Sequence, residues 1–308
     1  MKFILAAALA TASHVPHGYR AVVYATGLTH PTAMAFGPDH RLYVSEDTGS
    51  IVSVVRGSHR PRPFAGKLVV PLGLLWRGKT LYVSETGKVE ALTANGGRRS
   101  VLKGLPYGRH QQDSIVAEPD GRLYLGSGTT CDACAETNRY SGTILSFKPS
   151  GRDLQVVATG LRNPYGLVFA GSTLYASVNG RDDLGDGKPA DMVVRVRSGA
   201  DYGWPACWPS YALHKLTGAC GGVTAPVAYL EPHSSADGIA SWRGDLFVAE
   251  WGEYLSRAHG RRVVRIRRGK VTTFATGIDH PLALTVDPSG GLLVADWGRG
   301  VIYEISRL

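Results

Sequence analysis

The chain has 308 residues, 44% of them apolar and 19% charged, with 39 glycines and 17 prolines. That balance excludes a disordered chain or a coiled coil, and the Gly and Pro content points to many tight turns around a sizeable core. The formal charge of +9 comes from basic clusters at residues 56–62, 98–99 and 261–270 with no interleaved aromatics, so it reads as a solvated rim and not as a nucleic-acid surface.

Residues 1–12 combine a basic start (Lys2), an apolar run and the small-residue end Ala10-Thr11-Ala12, the pattern of a short secretory signal. Export to the periplasm or the medium is therefore expected. The run is too short to span a bilayer and no other stretch is long enough, so no integral membrane segment is expected. The mature part, residues 18–308, is expected to form one domain.

The phrase Leu42-Tyr-Val-Ser-Glu46 recurs, with variations, at residues 81–85, 123–127, 174–178, 246–250 and 292–296. Each copy is preceded by an apolar strand (33–36, 73–76, 114–117, 166–169, 238–241, 283–286) and followed by another (50–55, 88–93, 143–148, 192–197, 262–267, 300–306). A fourth, outer strand follows, as at 155–158 and 271–275, and residues 21–25 resemble that outer strand. The chain therefore begins on a fourth strand and stops after a third. This predicts an all-β, six-bladed β-propeller in which the N-terminal strand completes the last blade, leaving no open sheet edge. No window shows sustained 3.6-residue periodicity, so helices should be few and short.

Two inserts interrupt the repeats, at residues 129–141 and 199–223, and each carries two of the four cysteines. In an exported chain an even count reads as disulfides, and the expected pairs are Cys131–Cys134 and Cys207–Cys220.

The turns that enter the inner strands converge on one mouth of the central channel. They read Thr29-His30-Pro31, Val70-Pro71-Leu72, Gly108-Arg109-His110-Gln111, Arg162-Asn163-Pro164, Pro232-His233-Ser234 and Asp279-His280-Pro281. A His before Pro serves equally well as a plain turn residue. His110 breaks that pattern, and an imidazole is the usual proton carrier near neutral pH. Arg162 places a guanidinium fork beside the channel, which is costly unless it meets an anion or a polarised oxygen. The stretch at residues 178–191 lacks EF-hand spacing, which excludes a calcium loop of that type; it reads at least as well as a plain polar surface turn as it does as a tight turn whose backbone carbonyls hold a hard cation.

Gly-Arg-His110, Asp120-Gly-Arg-Leu-Tyr-Leu-Gly126, Gly160-Leu-Arg-Asn-Pro164, Asn179-Gly-Arg-Asp182 and Ala200-Asp-Tyr-Gly-Trp-Pro205, in this order, resemble the soluble glucose/sorbosone dehydrogenases, most closely the sorbosone-type branch. The resemblance implies a propeller that uses pyrroloquinoline quinone and Ca2+ to oxidise a sugar at its anomeric hydroxyl, with an external electron acceptor. His110 matches the catalytic base and Arg162 the residue that polarises the reacting quinone oxygen, with Asn163 beside it on the cofactor. Asn179, Gly180 and Arg181 fall at the turn that binds calcium. His233, Trp251, Arg257 and His280 would complete the cofactor's surroundings. Two other classes fit the same scaffold: a non-catalytic carbohydrate- or protein-binding propeller, and a calcium-dependent lactonase-type hydrolase.

Overall fold

Each Leu-Tyr-Val-Ser-Glu phrase becomes the second strand of a four-stranded antiparallel blade, and six such blades form the ring. The computed structural model describes residues 14–118, 121–253 and 258–308. The expected signal at residues 1–12 and Arg257 lie outside the described residues. Among the described residues there is no helix, and none long and apolar enough to cross a membrane.

All five residues of Leu42–Glu46 are buried, as are those of Leu292–Asp296. A second strand has a neighbouring blade on each face, so both its faces must be apolar or internally bonded. Outer strands are more open: Gln155–Thr159 is exposed at both ends and covered only through its middle residues. The core is thus divided into wedges between adjacent blades. One wedge joins Ile144 and Ala158 of blade three to Leu167, Ala176 and Met192 of blade four.

The ring closes as predicted. Tyr19–Ala25 pairs antiparallel with Val301–Arg307 and becomes the outer strand of blade six, Ala21 opposite Ile305 and Val23 opposite Tyr303. Behind the seam Tyr24, Ala25 and Ile302 pack with Met34 and Val44 of blade one.

Blade four departs from the expected spacing. Its third strand is Ala190–Arg195, two residues earlier than the sequence suggests, because Ala190 pairs with Pro232 across an irregular register. Its outer strand, Ala228–Pro232, comes only after the long insert. That insert adds Ala200–Asp201 in parallel to the outer strand of blade three, then folds a hairpin from Cys207–Ser210 and Lys215–Gly218. Both disulfides form with the expected pairing, 131–134 and 207–220.

The channel encloses about 420 Å³ and is lined mainly by apolar side chains of the inner strands, among them Met34, Leu74, Ile115, Leu167 and Ile239. His110 and Arg162 do not line this space; they stand at the mouth, where the entry turns meet.

Candidate active site

The mouth is shaped by a repeated device. In blade after blade the inner strand slips register just after its first residue, between Pro31 and Ala33, Gln112 and Ile115, Asn163 and Gly166, Ala236 and Ile239, and Pro281 and Leu284. Such bulges turn side chains out of the pleat, here into the ring. The acid at the end of the second strand holds the turn in place. Glu46 accepts the Thr29 N–H at 2.7 Å, Glu85 that of Val69 at 2.5 Å, and Asp296 that of Asp279 at 2.9 Å. In blades three and four the acid is replaced by Ser127 and Asn179, and these are the blades that supply the charged turns.

His110 is tied to the first insert at two points. Its backbone N–H donates to the Thr129 carbonyl at 3.0 Å, and its Nδ1 lies 3.0 Å from the Thr129 hydroxyl. Burial first, then the charges of Arg162 and Arg109, push the imidazole down to about 3, so it is neutral at physiological pH. Gly128 lies between the two blades here: a Cβ on it would collide with His110 Cβ and Asn163 Oδ1.

Arg162 is buried, and it sits in a four-membered charge cluster. Its Nε and Nη2 donate to Asp132 Oδ1 at 2.9 and 2.7 Å, and Nη2 also reaches Asp182 Oδ2 at 2.7 Å. Arg109 binds the same Asp182 oxygen at 2.5 Å, and the Asp182 N–H donates to Asp132. The Trp204 indole N–H holds the Asp132 backbone carbonyl at 3.0 Å. Burial alone would raise the Asp132 carboxyl, but the hydrogen bonds from Arg162 and the Asp182 N–H hold it below its ordinary range. Arg162 Nη1 has no hydrogen-bond partner among the described residues.

Asn163 and Asn179 face one another across paired strands, Asn163 Nδ2 donating to Asn179 Oδ1 at 3.0 Å. Asn179 Nδ2 donates to the Ala236 carbonyl at 3.0 Å, so that side chain is fully engaged within the protein. Asn163 Oδ1, by contrast, is buried and without a partner. The next turn is fixed by the buried Asp191, which accepts the N–H groups of Gly180 at 2.7 Å and Ala236 at 3.0 Å. The Arg181 side chain is committed to Asp183 and the Pro205 carbonyl and lies over Trp208. Only backbone carbonyls of this turn remain to hold a cation.

The opposite side of the mouth is aromatic. Trp251 lies 4.2 Å from His280 and 5.6 Å from Trp297 between ring centres, and His30 stacks on Trp297 at 3.9 Å. Trp251 is set there by its N–H, which donates to the Ser235 carbonyl at 2.9 Å. His233 reaches toward the charge cluster, 3.6 Å from Asp182 and 3.1 Å from the Gly185 carbonyl. Beneath the mouth, Asp113 and Asp237 occupy matching bulges in blades three and five; burial pushes both well above the usual carboxylate range. Glu250, at the end of its strand, is buried and accepts a hydrogen bond from Arg262 Nε at 2.5 Å.

A model of the glucose/sorbosone dehydrogenases matches residues 79–273, more than half of the chain. The chain belongs to the glucose/sorbosone dehydrogenase family. Solved structures of similar shape include the calcium structure of a Trichoderma reesei carbohydrate-active enzyme of family AA12 (16% identity, 96% of this chain and 97% of that one, TM-score 0.85). A putative oxidoreductase (glucose dehydrogenase) from Thermus thermophilus is 25% identical over 94% of this chain and 100% of that one, with a TM-score of 0.75. The PQQ-bound aldose sugar dehydrogenase of Streptomyces coelicolor is 23% identical over 95% and 100%, with a TM-score of 0.74. No curated protein matches this chain.

On this glucose/sorbosone dehydrogenase scaffold, His110, Arg162, Asn163, Asn179, Gly180 and His233 are brought together by Gly128, Asp182 and Asp191, while Trp251 and His280 form the facing wall. Sequence reasoning missed Asp132 and Thr129, which hold Arg162 and His110. The available signal was position: Asp132 lies between the paired Cys131 and Cys134 in an insert that no other blade carries.

Proposed function

We propose that the protein is an exported dehydrogenase that oxidises an aldose or related sugar at its anomeric hydroxyl, using pyrroloquinoline quinone and Ca2+ and passing electrons to an external acceptor. The observation that carries this reading is the pairing, at one channel mouth of a glucose/sorbosone dehydrogenase propeller, of a neutral, half-buried His110 with a buried Arg162. The two disulfides are in keeping with export.

The residues present fit the cofactor. Asn163 Oδ1 is a buried acceptor lacking a donor, Arg162 Nη1 is the arm left for a ligand oxygen, and the Trp251–His280–Trp297 wall suits a planar ring system. The carbonyls of the Asn179–Arg181 turn would hold calcium. Arg162 and Arg109 are matched by Asp132 and Asp182, so the mouth brings little surplus positive charge of its own and the cation would offset the cofactor's carboxylates. The quinone supplies a two-electron hydride acceptor, sharpened by calcium as a Lewis acid.

The chain's own residues then have defined work. His110, uncharged at neutral pH, takes the proton of the anomeric hydroxyl as hydride leaves the same carbon. Arg162, fixed by two carboxylates, presents a preorganised positive charge where negative charge develops. An anion bound at the mouth would offset the charges of Arg162 and Arg109 that now depress His110, raising its basicity when the site is loaded.

The test is reconstitution with calcium and the quinone, followed by dye reduction with a panel of aldoses. Sugar-dependent reduction is expected, lost in His110→Ala and Arg162→Ala. No thermal shift and no spectral change at saturating quinone would overturn the reading.

A further inference from the structure

The first insert does more than staple a loop. Thr129 is fully buried and bonded on three sides. Its backbone N–H donates to the Arg162 carbonyl at 2.9 Å, its carbonyl accepts the His110 N–H, and its hydroxyl lies between His110 Nδ1 at 3.0 Å and the Cys131 carbonyl at 2.6 Å. That hydroxyl has a single hydrogen. A carbonyl oxygen can only accept, so the hydrogen belongs to the Thr129–Cys131 bond, and the hydroxyl oxygen must accept from the imidazole. His110 therefore carries its proton on Nδ1, which leaves Nε2 with the free lone pair.

We infer that Thr129 is a positioning residue that sets the tautomer of His110, with the Cys131 carbonyl as the fixed end of the relay. The chain runs from His110 Nδ1–H to the Thr129 oxygen and from the Thr129 O–H to Cys131. It places the basic nitrogen at Nε2, which has no hydrogen-bond partner among the described residues.

The relay works only if the Cys131 carbonyl cannot swing away, and the insert is built to prevent that. Cys131 is bonded to Cys134, whose N–H points at the Cys131 sulfur at 3.0 Å. Between Thr129 and Cys131, Thr130 is clamped by Glu136, which accepts its N–H at 2.5 Å and its hydroxyl at 2.9 Å. The next residue, Asp132, is the partner of Arg162. One stapled turn therefore fixes the proton position of the base and the direction of the guanidinium, using neighbouring residues. The inference rests on His110 acting as the base; the tautomer itself is a property of the unloaded protein.

The experiment is long-range ¹⁵N–¹H correlation spectroscopy of the imidazoles in ligand-free full-length protein near pH 7, the His110 signals being assigned by their loss in His110→Gln. Wild type is expected to show a protonated Nδ1 and a bare Nε2. Thr129→Ser, which keeps the hydroxyl, should preserve that pattern; Thr129→Val should lose it, with protonated Nε2 appearing. An Nε2–H tautomer in wild type overturns the inference even if Thr129→Val does not fold, and so does an unchanged tautomer in a folded Thr129→Val. In reconstituted enzyme the Val variant should lose about 100-fold in kcat with KM little changed, and the Ser variant should recover most of it. Because the spectra are read without quinone or sugar, they stand or fall separately from any dye-reduction result.

Discussion

Asp132 Oδ1 accepts two hydrogen bonds from Arg162, Nε at 2.9 Å and Nη2 at 2.7 Å, from a position between two disulfide-bonded cysteines. A buried guanidinium needs such a partner, because an uncompensated charge in the interior costs several kcal/mol. Here the partner comes from a loop of blade three and the cation from the entry turn of blade four.

Removing the partner should therefore be expensive. Asp132→Ala leaves Arg162 with Asp182 alone, and a loss of about 3 kcal/mol in unfolding free energy is expected, measured by urea denaturation. Asp153→Asn, which removes the charge of the surface pair with Arg122 and still suits the left-handed backbone at this position (φ 59°), should leave the midpoint nearly unchanged. Equal, small effects from both would show that the Arg162 cluster is not holding the mouth.

His110 gives the protein an acid weakness. Its folded-state value lies near 3 against 6.5 when unfolded, so the unfolded chain binds the proton more readily, and stability is lost as pH falls from about 6.5 toward 3. His110→Gln should flatten that part of the stability curve while leaving stability at pH 8 close to wild type, as followed by chemical denaturation across pH.

Glu250 works in the opposite direction. Burial raises it from 4.5 to about 7 despite Arg262, so the folded state keeps the proton more tightly, and its stabilising contribution is full below about 4.5 and lost as pH rises to 7. Glu250→Gln keeps an acceptor for Arg262 and should remove that loss. The variant should gain on wild type between pH 4.5 and 7; a parallel pair of curves would refute the assignment.

The seam between blades six and one should be sensitive to volume. Ile302 is fully buried among Tyr24, Leu28, Met34 and Val44. Ile302→Ala should cost about 3 kcal/mol, seen as a lower urea midpoint with unchanged slope. A change in slope would mean that the ring opens before it unfolds.

The propeller is legible in the sequence because one five-residue phrase repeats and because residues 21–25 look like an outer strand with no blade of their own. His110 and Arg162 stand out for the same reason, as exceptions within a repeated turn. The turn at 179–181 can be placed at the mouth, but the commitment of the Asn179 amide is hidden: it follows from the register that sets Asn163 opposite Asn179, which a linear reading does not show. Asp132 and Thr129 lie in an insert without a counterpart in other blades. Their partners are 30 and 19 residues away, and no periodicity links them. The aromatic wall draws Trp251 from blade five, His280 and Trp297 from blade six and His30 from blade one, and of that set only Trp251 and His280 are expected from sequence as cofactor contacts.

The pairing of Tyr19–Ala25 with Val301–Arg307 has a bearing on how the molecule comes into being. Five blades can be completed from neighbouring stretches of chain, but the sixth has to wait for strands separated by nearly the whole sequence to meet. As the chain emerges N-terminus first, its opening strand stays unpartnered until the last residues are free. The mouth is ringed by all six blades, so a competent site and a sealed ring arrive together at the end of folding.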